Sequence, residues 1–210
     1  MDGIRRLRAR GIGFGSTEHK FLRPPELEAV AAARVVAFVV IVRDPVDRTL
    51  SSYRFHVGAG RRCDGGPCAD VIAFGEAEAD LTARMLLGGE FGPWTLRQAP
   101  SQLRADAAAI AERPEESLQE ALVALQRFDL VLVFERLGDA ATADLVTATL
   151  GWSDGAIERV LPVGARPSPT PVPASQREAL ETMNAIDRRV HAAAIQRFDA
   201  DVQRLRARTS

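Results

Sequence analysis

The sequence predicts an α/β domain built on a parallel sheet, and three observations lead there. VVAFVVIV, residues 35–42, is a continuous apolar, β-branched run of the kind that a strand buried on both faces needs. FDLVLVF, residues 128–134, is a second short run of the same character. Stretches of helical periodicity lie between and after them, and strands separated by helices pair in parallel. A chain of 210 residues holds one domain with a proper core, so 1–210 is read as a single domain.

The elements follow in order. Residues 1–16, MDGIRRLRARGIGFGS, are basic and lack an apolar core segment, so they read as a flexible lead-in and not as a signal peptide. The 35–42 strand ends at Arg43. Asp44 is placed to cap a helix, Pro45 suits the first helical position, and Asp47 falls at the third. LTARMLLG, 81–88, has a helical apolar face that stops at Gly88 and Gly89. The Ala-rich stretch 101–113 runs up to Pro114, which can itself start the helix that follows, EESLQEALVALQRF. After the second strand, ATADLVTATLGW, 141–152, is helical again.

Residues 162–174 carry prolines at 162, 167, 169, 171 and 173 and read as an extended loop. Ser175 and Glu178 have the spacing of a capping box, opening one helix over 175–207. Its apolar stripe (Leu180, Met183, Ile186, Val190, Ile195, Phe198, Val202, Leu205) is expected to be core.

Composition narrows the function classes. A net charge of −1 provides no field to recruit nucleic acid or an anionic membrane. No stretch approaches the roughly 20 apolar residues of a membrane span. Lys20 is the only lysine, which leaves arginine to do nearly all anion binding. Cys63 and Cys68, in CDGGPC, can close a small disulfide loop in an oxidising compartment or remain free thiols. A metal site there lacks its further ligands, and no metal is expected.

VVIVRDPVDRTLSSYRFH, 39–56, carries the chemistry. The helix begins immediately after the strand, at the carboxyl edge of a parallel sheet, where open α/β folds bind ligands. Arg43 projects from the strand end, and Ser51 lies two turns into the helix. A guanidinium fork with a hydroxyl suits a phosphate. The bland alternative is an arginine paired with Asp44 or Asp47 beside an exposed serine.

The pattern R-D-P-x-x-R-x-x-S-x-Y resembles the 3′-phosphate signature of sulfotransferases that use 3′-phosphoadenylyl sulfate (PAPS), in particular the Golgi-type carbohydrate enzymes and their bacterial and algal relatives. LTARMLLGG, FDLVLVFERLGDAATADLVTATLGW and ETMNAIDRRVHAAAIQRF are also similar to segments of that family, so the resemblance runs over about residues 17–204. It implies a three-layer, P-loop NTPase-like sulfotransferase fold, PAPS as co-substrate, and Arg43 and Ser51 as ligands of its 3′-phosphate. Arg48 and Tyr53 would support that geometry. The acceptor would be a hydroxyl, on a carbohydrate, and specificity would reside in variable loops such as 58–75 and 88–101.

The family also needs a Gly- and Ser/Thr-rich loop with a basic residue to hold the 5′-phosphosulfate. Only 42 residues precede Arg43. GIGFGST, 11–17, follows no apolar strand and contains no lysine. The expectation is therefore a domain lacking its first strand and that loop, either a truncated reading or a remnant that binds the nucleotide or a protein partner without turnover. His19, in STEHKF, is the candidate base. His56 reads as structural, His191 as a poor candidate, and Glu135 as an N-cap or buried ion-pair residue. A nucleotide kinase would need a glycine-rich loop with Lys-Ser/Thr, which this chain does not have. The family's compartments are the Golgi lumen and the bacterial cytosol, and the N-terminus selects neither.

Overall fold

Val39–Val42 forms strand β1, and Leu130–Val133 forms the strand it pairs with, β4. The two run parallel, in the register Val39↔Leu130, Val40↔Val131, Ile41↔Leu132 and Val42↔Val133. The computed structural model describes residues 37–58, 62–63, 66–67, 70–87, 100–151 and 172–209. Between the paired strands come α1 (Pro45–Gly58), a short antiparallel hairpin of β2 (Arg62–Cys63) and β3 (Gly66–Pro67), α2 (Val71–Glu78), α3 (Leu81–Leu86), α4 (Pro100–Ala111) and α5 (Pro114–Leu125). A single 3-10 turn, Phe134–Arg136, follows β4, and then α6 (Ala140–Leu150), α7 (Ala174–Met183) and α8 (Ala185–Thr209). The described part is mostly helical around a small parallel pair, an α/β arrangement.

The pleat sends alternate β4 side chains to opposite faces. Val131 joins Val40 and Val42 against α3, α5 and the first half of α8, through Ala83, Leu118, Ala121, Val190 and Ala194. Leu130 and Leu132 turn to α6 and the second half of α8, through Leu145, Val146 and Phe198. β4 is therefore buried along its whole length. β1 departs from the expectation of burial on both faces: Ile41 is 48% exposed. It lies on the Leu132 face, where the cluster with α6 and α8 takes in Val39 of β1 but not Ile41. A third cluster seats α1 on α2 and α7 through Val46, Leu50, Val71 and Leu180.

The expected caps fare differently. Asp44 does cap α1, its Oδ1 accepting from the Asp47 amide at 2.9 Å. Pro114 opens α5 at its first position. The Ser175–Glu178 capping box does not form. The helix starts one residue earlier, at Ala174, and the Pro173 carbonyl takes the Gln176 and Arg177 amides.

The single helix expected over 175–207 is two helices. Asn184 breaks it with φ −112 and ψ 34, turning its Nδ2 back onto the Leu180 carbonyl at 2.8 Å. The apolar stripe runs through the break. Leu180, Ile186, Val190 and Phe198 are buried, with Met183, Ile195, Val202 and Leu205 packed beside them. No helix among the described residues is long and apolar enough to cross a membrane. The expectations for 1–16, Cys68 and 162–171 lie outside the described residues.

Candidate functional site at the carboxyl edge of the sheet

The strand pairing ends at Val42 and Val133, and the residues just past it still meet. Arg43 meets Phe134, and Asp44 meets Glu135. The Arg43 guanidinium carbon lies over the Phe134 ring, 4.4 Å from its centroid. A cation over an aromatic face is attracted by the ring's quadrupole. One residue on, the Asp44 amide donates to Glu135 Oε1 at 2.9 Å. The same device closes the other end of the pair, where the Phe38 amide donates to Asp129 at 2.7 Å. Carboxylates on the β4 side therefore finish the backbone ladder at both ends.

Glu135 is also reached from α8. His191 Nε2 lies 3.2 Å from Glu135 Oε2. Partial burial works to raise the Glu135 carboxyl. The His191 hydrogen bond and the amides of Asp44 and of Glu135 itself outweigh it, holding the carboxyl below its usual range. Sequence reasoning gave Glu135 an N-cap or buried ion-pair role; instead it is exposed, its carboxylate accepting the Asp44 amide and facing His191. The same reasoning set His191 aside, yet His191 stands at this edge. The signal was present: Asn184, Asp187 and His191 fall at i, i+3 and i+7, one polar stripe along the segment read as a single helix.

The other half of that stripe holds α1 in place. Arg48 donates to Asp187 Oδ2 and Thr82 Oγ1, each at 2.7 Å, and to the Glu78 carbonyl at 3.2 Å and Asn184 Oδ1 at 3.3 Å. The Asp187 side chain is fully buried. Its carboxylate also accepts the Thr82 and Ala83 amides, at 2.8 and 2.7 Å, so it caps α3. Asp80, which precedes α3, accepts the Ile186 and Asp187 amides at 3.0 and 2.9 Å, so it caps α8. Each helix N-terminus is closed by the carboxylate of the other, with Arg48 between the charges. Asp80 is in the left-handed region, φ 46, which aspartate tolerates better than most residues. Burial, then the nearby Asp187 carboxylate, push its carboxyl up to about 6, against the pull of those two amides and of Arg48.

Further hydrogen bonds surround this node. Ser52 donates to Glu78 Oε1 at 2.8 Å. Arg84 donates to the Ala77 and Ala79 carbonyls, closing the C-terminus of α2. Tyr53 meets Phe74 edge to face, 5.5 Å between centroids.

Ser51 is half-buried on α1, seven residues past the Asp44 cap, or about 10 Å along the axis. It shares the outward stripe with Phe55, which is 63% exposed. His19 lies outside the described residues, as does the side chain of His56. Among the described residues, no cluster of three His, Cys, Asp or Glu is arranged to hold a metal. No family model, curated protein or solved structure matches the chain.

Proposed function

We propose that the carboxyl edge of the β1–β4 pair is a nucleotide-phosphate site, and that the protein is a PAPS-dependent sulfotransferase acting on a hydroxyl, most naturally one on a carbohydrate. One observation carries the reading. Arg43 leaves the sheet at its carboxyl end with its guanidinium carbon over the Phe134 ring, immediately before a helix capped by Asp44. That is a cation beside a helix start, the arrangement that suits a phosphate.

In this reading Arg43 and Ser51 take the 3′-phosphate. Arg48 and Tyr53 hold α1 at its angle to the sheet, and the fold belongs to the P-loop-like three-layer class. The acceptor oxygen attacks the sulfur of PAPS in line, and the bond from sulfur to the 5′-phosphate oxygen breaks. Adenosine 3′,5′-bisphosphate leaves with the bonding electrons, and the acceptor proton passes to a base, for which His19 is the candidate. A second reading rests on the same edge alone: Arg43 and Ser51 form one phosphate site, which is enough to bind the bisphosphate without transferring anything.

The test is transfer of radiolabelled sulfate from PAPS to a panel of glycans, comparing the protein with its Arg43→Ala and His19→Ala variants. Label on a glycan, reduced at least about tenfold by Arg43→Ala, is the expected result. Bisphosphate binding without any transfer would replace the enzyme by the binding module. Transfer indifferent to Arg43 would remove this edge from the mechanism.

A further inference from the structure

We propose that His191 is a positioning residue of the anion site: its charge neutralises Glu135, so protonation of His191 and binding of an anion beside Arg43 favour each other. The inference rests on the phosphate-site reading and adds a residue that reading does not use.

Three facts of the geometry meet here. Glu135 follows Phe134, the ring that carries the Arg43 guanidinium, so a carboxylate stands one residue from the cation's platform. Its Oε1 is tied to the Asp44 amide at 2.9 Å, so it cannot swing away without freeing the backbone that presents Arg43. Its Oε2 meets His191 Nε2 at 3.2 Å, and the His191 side chain is only 14% exposed. A fixed carboxylate beside an anion site repels the anion. An imidazolium on its far oxygen cancels that repulsion, whereas a neutral ring does not.

The surrounding charges leave this role to His191. Among elements packed against α8, Arg136 pairs with Asp199, Arg48 with Asp187, and Glu115 with Arg189. Asp47 pairs with Arg177, Glu181 with Arg188, and Arg84 is bonded to carbonyls of α2. Asp144 of α6 and Glu120 of α5 are exposed. Among the described residues, Glu135 is the carboxylate within hydrogen-bond distance of the ring, and Arg43 and Asp44 also stand at that edge. Imidazole is also the side chain whose charge changes between about pH 5 and 8, where the bisphosphate can be titrated.

The experiment is calorimetric titration of adenosine 3′,5′-bisphosphate at pH 6.0 and 8.0 into the wild-type protein and into Arg43→Ala, His191→Gln and Glu135→Gln, with thermal melts confirming that each is folded. The phosphate's own protonation affects every variant alike, so the ratio of wild-type to variant affinity isolates the residue. Relative to His191→Gln, wild type should bind about 3–10-fold tighter at pH 6.0 and equally at pH 8.0. Glu135→Gln keeps an acceptor for the Asp44 amide and loses the charge. It should bind tighter than wild type at pH 8.0, with the gap closing at pH 6.0. A merely structural pair would instead weaken binding in both variants at both pH values, which would overturn the inference. Ratios unchanged by pH would overturn it too, and would leave the phosphate site standing if Arg43→Ala still loses affinity. No binding by wild type at either pH overturns both.

Discussion

Arg43 and Arg48 are five residues apart in one motif and are used in opposite ways. Arg43 is half-buried at the sheet edge with its guanidinium over the Phe134 ring. Arg48 is sunk among three helices and donates to four acceptors on four residues. The sequence alone states that both are basic and that one follows a strand. The resemblance assigns the first to the ligand and the second to support. What was not legible is the identity of the supporting partners, because Asp187 and Asn184 are more than 130 residues further along. Removing Arg48 leaves a fully buried carboxylate without its cation, and breaking such a pair costs about 3–5 kcal/mol. Arg48→Ala should lose that much in urea unfolding. Arg48→Lys should recover only part of it, since one ammonium cannot span four fork-spaced acceptors. A loss below about 0.5 kcal/mol in Arg48→Ala would show that the node adds nothing to stability.

At the scale of elements, the exchange of caps between α3 and α8 is the feature that local sequence rules could not read. Those rules look for a cap on the same helix, a few residues ahead of it. Here Asp80 closes a helix that starts more than 100 residues later. The break at Asn184 was hidden for a related reason. The apolar spacing runs through it unbroken, so periodicity alone reads one helix where a side-chain amide makes two.

The exchange has a pH signature. The Asp80 carboxyl is raised in the folded protein from 3.8 to about 6. The folded state therefore holds that proton more tightly than the unfolded chain. The stability it contributes is fully present below about pH 4 and is lost as pH rises through about 6. Asp80→Asn keeps an oxygen for the two amides and removes the charge beside Asp187. The wild-type protein should lose about 2–3 kcal/mol relative to Asp80→Asn between pH 4 and 7.5, measured by chemical unfolding of both. Parallel pH profiles would mean that Asp80 does not titrate in this range.

The crossing of α2 over α7 makes a packing prediction. A Cβ built at Gly75 would lie 2.5 Å from Leu180 Cδ2, and Leu180 is completely buried. Gly75→Ala should therefore destabilise by about 1–3 kcal/mol, despite the better helix propensity of alanine. A more stable variant would mean that α7 has room to move.

For the whole molecule, two apolar runs fixed the parallel pair and the edge at which Arg43 emerges, and both were readable because β-branched runs bounded by charge have few other uses. The exposure of Ile41 was not, since burial of a strand face depends on which helices reach it. Nor was the convergence of His191 and Glu135, which needs the register of β4 and the path of α8 together. The resulting picture is a sheet edge where a cation rests on an aromatic ring, a carboxylate closes the ladder, and a histidine answers that carboxylate from the last helix.

The central claim is that this edge binds a nucleotide phosphate through Arg43 and Ser51. Its most direct measurement is titration calorimetry of adenosine 3′,5′-bisphosphate against wild type, Arg43→Ala and Ser51→Ala at one pH, with unfolding curves for all three. The account predicts saturable binding by wild type. It predicts a loss of at least about tenfold in Arg43→Ala and a smaller one in Ser51→Ala, with unfolding midpoints close to wild type. Absence of binding by wild type, or equal affinity in all three proteins, would contradict it.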